Sequence, residues 1–301
     1  MPATVVIIIN PVSGPARRGR GPARVELARR TLDRLGVTGE VLLTERAGHA
    51  HDLASDAVLS GAELVVAWGG DGTINEVGRA LVQRETEGSA SGAALGIVPG
   101  GSGNGLARDL KIPFDPALAI ERAVRASPRS IDAGEIGQRL FFNVAGVGFD
   151  AHVAALVSTR VHDRGLLPYL TASFGDLVRY TPQDYTLELE NRTEHVKSIV
   201  IALANSKQYG FGAQIAPAAH LDDGMLDLIA IEDRGFAGNI VRVPSLFTGR
   251  LDRQAGVRTA KIREITIRSK NPMLFHVDGE AVQGTDALVA RVHPGALRLR
   301  A

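Results

Sequence analysis

The chain has 301 residues and a net charge of +1, from 34 basic and 33 acidic side chains, and it contains no cysteine. The lack of cysteine excludes disulfides, thiolate metal sites and cysteine nucleophiles, and it favours a cytoplasmic location. The balanced charge gives no indication of a nucleic-acid partner, so any contact with phosphate or lipid must be local.

Short apolar runs alternate with helical patterns along the first 132 residues. The runs show no strict alternation of polar and apolar positions, which predicts a parallel sheet covered by helices on both faces. The predicted strands, each followed by its helix, are Thr4–Ile9 and Pro22–Leu35, Glu40–Leu43 and His49–Leu59, Glu63–Trp68 and Ile74–Val82, and Ala94–Val98 and Gly105–Leu110. Such an architecture is typical of nucleotide-binding proteins.

After Asp132, strand-like segments follow one another with turn residues between them, which predicts an antiparallel sheet or sandwich. The predicted strands are Leu140–Val147, Tyr185–Leu189, Ser198–Ala204, Met225–Ile231, Glu264–Arg268 and Met273–Asp278, and the helices are Leu166–Tyr180 and Phe236–Phe247. The change from alternating strands and helices to successive strands indicates that a second domain of a different class begins here.

Three of the predicted strand-to-helix junctions carry glycine-rich loops: NPVSG at residues 10–14, GGDGT at 69–73 and GGSGN at 100–104. Because the carboxyl ends of parallel strands meet at one edge of a sheet, these loops predict a phosphate site. Arg17, Arg18 and Arg20 follow the first loop and could bind the anion or simply be solvated. None of the loops is a Walker A or G-x-G-x-x-G motif, so they favour phosphoryl transfer by another arrangement.

The GGDGT loop contains a carboxylate, Asp71, that local structure does not explain. Thr73 and Glu76 match the spacing of a helix capping box, which gives both a structural reason. A carboxylate beside phosphates would repel them unless Mg²⁺ lies between or a substrate proton is to be accepted. We therefore expect Asp71 to have a functional role, with a purely structural carboxylate as the alternative.

Five motifs together resemble the diacylglycerol kinase catalytic domain family of lipid kinases, which includes bacterial diacylglycerol kinase-like enzymes, sphingosine kinases and ceramide kinases. In chain order they are NPVSG, GGDGTINEV, PGGSGNGLAR, LDDGMLDL and HVDGE. The resemblance implies an α/β N-terminal domain with a parallel sheet, of the NAD kinase and diacylglycerol kinase type, and a C-terminal antiparallel β-sandwich domain. It implies domains at residues 1–132 and 133–290, with residues 291–301 returning to complete the first.

The resemblance, together with the loops, gives each candidate residue a role. The nucleotide contacts would be Asn10, Ser13, Gly14, Thr44, Gly70, Gly72, Thr73, Gly101, Ser102 and Asn104. The catalytic residues would be Asp71, Asp278 and Glu280, the metal ligands Asp71, Asp132 and Asp223, and the lipid contacts Asp150 and His152. Asp71 is expected at the reacting centre as base or Mg²⁺ contact, with Asp278 as a competing base. The residues alone leave open a turn at Asp278 and a helix start at Asp150.

One position departs from the family pattern. Many bacterial members have an aspartate after the third glycine loop, where this chain has Gly105, so a Mg²⁺ network of three carboxylates is in doubt here. In some members the second aspartate of the LDDG motif and flanking carbonyls hold a structural Mg²⁺, which here implies Asp223 with the backbone of His220 and Met225.

The implied activity is transfer of the γ-phosphate of ATP, with Mg²⁺, to the hydroxyl of a lipid such as diacylglycerol or a sphingoid-type alcohol. The expected partners are that lipid and, transiently, the inner membrane surface, and homodimerisation is left open. Leu166–Tyr180 could line an acyl-chain slot or rest on the membrane, or could face the core. The alternatives are a soluble NAD kinase-like enzyme and a catalytically weak nucleotide-binding regulatory protein.

Overall fold

A computed structural model describes residues 4–14, 20–86, 92–159 and 180–301 of the chain. These residues fall into two units, one comprising Met1–Ile131 and Gly295–Ala301 and the other comprising Asp132–Pro294. Across the described ranges, no helix is both long enough and apolar enough to cross a bilayer. Arg17, Arg18 and the predicted helix Leu166–Tyr180, apart from Tyr180 itself, lie outside the described residues.

The first unit is built on a parallel sheet. Its strands are β1 (Val5–Ile9), β2 (Gly39–Leu43), β3 (Leu64–Gly69) and β4 (Ala94–Pro99). They pair in the order β2-β1-β3-β4, with Ile9 opposite both Leu43 and Trp68. Every residue of β1, β3 and β4 is buried, as expected of parallel strands covered on both faces. This confirms the α/β class predicted for the N-terminal half.

Among the described residues of this unit, five helices cover the sheet: α1 (Arg20–Leu35), α2 (His49–Leu59), α3 (Asp71–Thr86), α4 (Gly105–Asp109) and α5 (Pro116–Arg125). The crossovers from β1 to β2 and from β2 to β3 run in opposite directions. Right-handed connections therefore place α1 on one face and α2 and α3 on the other. α2 packs against α3, and α1 packs against α5.

The second unit is an antiparallel sandwich. Its main strands are β5 (Arg129–Ile136), β6 (Arg139–Phe141), β7 (Val144–Gly148), β8 (Gln183–Leu189), β9 (Arg192–Ala204), β12 (Leu226–Glu232), β13 (Val257–Ile262), β14 (Glu264–Ser269), β15 (Leu274–Val277), β16 (Glu280–Gln283) and β17 (Ala287–Arg300). Its described part also contains two short strands, β10 (Gln208–Gly210) and β11 (Ala213–Gln214), two helices, α6 (Phe149–Thr159) and α7 (Gly235–Phe247), and a 3-10 helix at Leu251–Arg253.

β9 belongs to both layers of the sandwich. Its first half pairs with β8, and its second half lies between β7 and β12. One layer therefore runs β16-β15-β7-β9-β12-β13, and the other runs β9-β8-β14-β17-β5-β6. Inward side chains of both layers form one core that includes Phe141, Tyr185, Ile201, Leu228 and Phe275. This confirms the predicted antiparallel β-sandwich.

The last strand of the chain serves both units. Residues 287–291 of β17 pair antiparallel with β14 in the second unit. Leu299 and Arg300, at its other end, pair in parallel with Leu95 and Gly96 of β4. The parallel sheet of the first unit therefore gains a fifth strand from a distant part of the sequence.

Candidate active site

The three glycine-rich loops follow β1, β3 and β4, which are neighbours in the parallel sheet. The backbone glycines of these loops pack directly on one another. A Cβ added to Gly14 would lie 2.7 Å from the carbonyl oxygen of Gly100, and one added to Gly70 would lie 3.1 Å from the Cα of Gly101. Larger residues would force the loops apart, so the glycines allow one continuous backbone surface rich in N–H groups.

Arg24 of α1 fastens the first loop. Its guanidinium group donates to the carbonyl oxygens of Asn10 at 2.7 Å and Ser13 at 2.9 Å, and to the Ser13 hydroxyl at 2.9 Å. The same group lies over the Trp68 ring, 5.7 Å from its centroid. Burial and the nearby charge of Arg20 lower the pKa of Arg24, and it remains a cation. Arg24 thus positions the loop through its backbone.

The third loop is held by its own asparagine. The side-chain oxygen of Asn104 accepts from the Gly101 N–H at 2.9 Å, and its amide group donates to the Gly101 carbonyl at 2.8 Å. Asn104 has a φ of 51°, a left-handed conformation that asparagine tolerates better than most residues. Ser102 lies half-buried inside the closed loop.

Asp71 is the first residue of α3, where an anionic side chain or ligand is favoured by the helix dipole. It is half-buried, and the next residue, Gly72, is exposed. A Cβ added to Gly72 would meet no atom within 4 Å, so the space above the loop is open. The arrangement offers one carboxylate beside an accessible turn of backbone.

The predicted capping box is wrong. The carboxylate of Glu76 accepts from the backbone N–H groups of Gly48 and Ala50, both at 3.0 Å, and so caps the start of α2. Thr73 lies inside α3, and its hydroxyl accepts from the Asn10 side chain at 3.1 Å. Glu76 therefore contacts the start of α2, and Thr73 contacts the first glycine-rich loop. The local spacing of the two residues does not indicate either contact.

Thr44 lies directly after β2, at the same edge of the sheet, and its N–H donates to the Ile9 carbonyl. A pocket of about 550 Å³ opens beside the third loop and is lined by Trp68, Ser102, Arg108 and Phe114, among others. Thr44 and Asp71 are not part of its lining. Of the predicted nucleotide contacts, Gly101, Ser102 and Asn104 line this pocket.

In the second unit, Asp278 forms a two-residue hairpin loop with Gly279 between β15 and β16. Both residues have a positive φ, 49° and 88°, which is the geometry that Asp-Gly favours in tight hairpins. The carboxylate of Asp278 accepts from three backbone N–H groups, those of Phe142, Asn143 and Val144, at 3.0, 2.9 and 3.1 Å. This hairpin is thereby fastened to β7.

The exposed Glu280 follows the same hairpin loop and begins β16. Its predicted catalytic role stays a prediction, as does that of Asp278.

Asp150 lies at the centre of a buried polar network. Its Oδ2 accepts from the Tyr209 hydroxyl at 2.9 Å and lies 3.2 Å from Nε2 of His276. The Gly279 N–H donates to Nδ1 of His276, so Nε2 carries the proton and donates to Asp150. A Cβ on Gly146 would collide with the same carboxylate, and the glycine leaves room for it.

Aromatic rings surround this network. Tyr180 packs edge-on against Phe149, with ring centroids 5.3 Å apart, and lies 6.0 Å from the predicted lipid contact His152. Burial, with the charge of Asp150, raises the pKa of Tyr180 to about 12 and raises that of Tyr185 further. Both phenols therefore stay protonated near neutral pH.

Asp132 and Asp223, the other two predicted metal ligands, both have hydrogen-bond partners within the protein. Asp132 is 2% exposed, and its carboxylate accepts from the Gly224 N–H at 2.7 Å. The carboxylate of Asp223 accepts from the Met225 N–H at 3.1 Å and from the Lys261 ammonium at 2.5 Å. Within the described part of the chain, no cluster of three or more acidic or histidine side chains could hold a metal ion. The predicted metal-ligand roles of Asp132 and Asp223 stay predictions.

Lys261 places a positive charge beside Asp223. Its ammonium also lies 3.2 Å from the carboxylate of Asp227, whose side chain is 12% exposed. Burial would lower the pKa of Lys261, but the hydrogen bond to Asp223 and the charge of Asp227 raise it above its usual value. The lysine neutralises two carboxylates that would otherwise repel each other.

Replacing Lys261 by methionine is expected to destabilise the second unit by about 1–3 kcal/mol, between the values for exposed and buried ion pairs. A urea titration would measure this. Lys270→Met, which removes an exposed lysine from the same unit, is the matched control and should change stability by less than about 0.5 kcal/mol. Equal midpoints for Lys261→Met and the parent chain would show that the ion pair is inert.

Four of these residues are missing from the sequence-based predictions: Arg24, Tyr209, Lys261 and His276. Arg24 and Lys261 act on partners far away in the sequence, and nothing in their local pattern indicates it. His276 did carry a signal, since a histidine in the buried apolar strand FHV requires a polar partner.

Two family profiles match the chain. The diacylglycerol kinase catalytic domain matches residues 4–136, and the YegS C-terminal NAD kinase beta sandwich-like domain matches residues 143–301. The chain is 32% identical over 263 residues to a protein of Pseudomonas syringae pv. syringae named "Probable lipid kinase YegS-like", with 86% of this chain and 83% of the relative covered. It is 30% identical over 269 residues to the "Probable lipid kinase YegS" of Salmonella schwarzengrund, with 88% and 87% covered.

Solved structures show the same fold. A crystal structure described as a diacylglycerol kinase of Bacillus anthracis aligns with a TM-score of 0.72 at 17% identity, over 99% of this chain and 96% of that one. A second structure from the same organism gives a TM-score of 0.81 at 19% identity, over 99% and 95%. At these identities the similarity concerns the fold alone.

Proposed function

The chain belongs to the lipid kinase family that joins a diacylglycerol kinase catalytic domain to a YegS-type β-sandwich domain, and we propose that it transfers the γ-phosphate of ATP to a lipid hydroxyl. The observation that carries this proposal is the convergence of three glycine loops at the sheet edge where α3 starts with Asp71. Phosphoryl transfer needs alignment of the reactants, neutralisation of the phosphate charge and an acceptor for the hydroxyl proton. The backbone N–H groups of the loops and the carboxylate of Asp71 are groups of the kind required.

In the proposed site, backbone N–H groups of the glycine loops and the side chains of Asn10 and Ser13 bind and orient the phosphates. Arg24 holds the first loop in shape through the Asn10 and Ser13 carbonyls. Asp71 accepts the proton of the lipid hydroxyl or holds the metal that accompanies ATP. Thr73, which accepts from Asn10, keeps the first and second loops in register.

Mg²⁺ fits this edge because it binds ATP with one or two carboxylates and several phosphate oxygens. Asp71 would be its protein ligand, and Gly105 offers no second one. The ion would neutralise charge on the phosphates during transfer.

For the lipid, we propose a neutral alcohol of the diacylglycerol type ahead of a sphingoid base. Asp150 is the predicted headgroup contact, and its Oδ2 already accepts from Tyr209 and His276. These two donors offset part of the negative charge that an ammonium group would require, whereas a hydroxyl needs only one more acceptor position. A sphingoid base therefore gains less from this carboxylate than a glycerol hydroxyl does.

The test is an assay with radiolabelled ATP and Mg²⁺ on separate acceptors: diacylglycerol, sphingosine, ceramide, phosphatidylglycerol and NAD. We expect the phosphorylated lipid to appear with diacylglycerol, and at a lower rate with sphingosine. Phosphorylation of NAD alone would overturn the lipid assignment. Binding of ATP without turnover on any acceptor would instead indicate a regulatory protein.

A further inference from the structure

Helix α7 has its polar side turned inward. Asn239, Arg242 and Ser245 are 8%, 6% and 7% exposed. Arg242 donates to the carbonyl oxygens of Glu232 at 2.7 Å and Ala255 at 2.5 Å, and thereby ties the helix to the ends of β12 and β13. An ordinary surface helix would bury its apolar residues and expose its arginine.

The outward side of α7 is apolar. Phe236, Val241 and Phe247 are 48%, 74% and 42% exposed, and Ala237 and Pro244 are exposed between them. Positions three or four apart lie on the same side of a helix, so these five residues form one continuous surface, which we call the α7 face. Proteins do not usually expose several large apolar side chains together unless something covers them.

All charged side chains along helix α7 and at its two ends are positive. Residues 234–251 contain three arginines and no acidic residue. Arg234 and Arg250, one at each end of the helix, are exposed. Asp233, Asp252 and Arg253 lie just outside them and are exposed, whereas Arg242 is buried. The exposed charges of residues 233–253 are therefore three positive and two negative, a net charge of +1. An apolar surface between exposed arginines matches an anionic bilayer, with acyl chains below and phosphates around it.

We infer that the α7 face docks the kinase on anionic phospholipid bilayers. The rival occupant is a second copy of the chain. Sedimentation velocity distinguishes a dimer through this face from docking on a bilayer. The inference shares with the proposed function only the premise that the substrate resides in a membrane, and its test does not depend on turnover.

The experiment is co-sedimentation of the full chain with vesicles, without ATP. The vesicles contain either phosphatidylcholine alone or an equal mixture with phosphatidylglycerol. The parent chain should bind the mixed vesicles more tightly. Val241→Asp, at the most exposed large apolar residue of the face, should weaken that binding about tenfold or more. The matched control is Leu118→Asp, because Leu118 is 53% exposed on α5 and should leave vesicle binding unchanged.

Three outcomes would overturn the inference. The first is equal vesicle binding by Val241→Asp and the parent chain. The second is a loss of vesicle binding in Leu118→Asp as large as that in Val241→Asp. The third is a parent chain that is a dimer, which Val241→Asp converts to a monomer while vesicle binding stays unchanged. The last outcome would assign the face to a second copy, as measured by sedimentation velocity. Thermal unfolding checks that the variants are folded, and Val241→Ser replaces Val241→Asp if the aspartate prevents folding. A failed kinase assay with intact vesicle binding would count against the proposed function only.

Discussion

Replacing Asp71 by asparagine is expected to lower kcat on the lipid substrate by about 10³-fold, within the usual range for loss of a proton acceptor or of charge stabilisation. The fold should be retained, because asparagine is well tolerated in the first turn of a helix, where Asp71 stands. ATP affinity should change much less, since the glycine loops and Arg24 remain intact. Steady-state kinetics with varied ATP and lipid would separate the two effects.

Asp56→Asn is the matched control, because Asp56 is an exposed aspartate of α2 in the same unit. It should show the parent kcat. If Asp71→Asn raised only KM for ATP and left kcat near the parent value, Asp71 would be a binding residue and the assignment of the reacting centre would fail.

Replacing Asp278 by alanine is expected to destabilise the second unit by about 3 kcal/mol or more. The change removes the acceptor of three backbone N–H groups at the start of β7. Each buried N–H group that is left without a hydrogen-bond partner costs about 1–3 kcal/mol. Alanine also fits poorly at a φ of 49°. The free energy of unfolding from a urea titration would measure the loss.

Asp278→Asn distinguishes a structural role from a catalytic one. Asparagine keeps one acceptor oxygen and tolerates the left-handed conformation, so the variant should fold and lose less stability. If Asp71 is the proton acceptor, the kcat of Asp278→Asn should fall less than about tenfold. A folded Asp278→Asn protein with kcat reduced as far as in Asp71→Asn would make Asp278 the base instead.

Much of the fold can be predicted from the sequence because its strongest signals are local. The runs that became β1, β3 and β4 are apolar at every position, which is what burial on both faces of a parallel sheet requires. Once the strands are parallel, topology alone puts their carboxyl ends, and thus the glycine loops, at one edge. The bounds of the elements were predicted less accurately: α3 begins at Asp71 and not at the predicted Ile74.

Contacts between distant parts of the chain could not be predicted in the same way. Glu76 has the spacing of a capping box, but its carboxylate lies beside the start of α2 and binds there. The predicted strand Ser198–Ala204 is only the buried apolar half of β9; the mostly polar half, which pairs with β8 in the other layer, was missed. Lys261 meets Asp223 only because β13 pairs with β12. Such choices depend on tertiary geometry.

The shared strand β17 has a consequence for synthesis of the protein. Leu299 and Arg300 cover the outer edge of β4, yet the ribosome makes them only after the whole second unit. Until then β4 presents unpaired backbone N–H and carbonyl groups, the kind of edge on which strands of other chains can assemble. The N-terminal unit therefore cannot complete its sheet until β17 has been made, and a nascent chain stalled before β17 would be exposed to aggregation at β4.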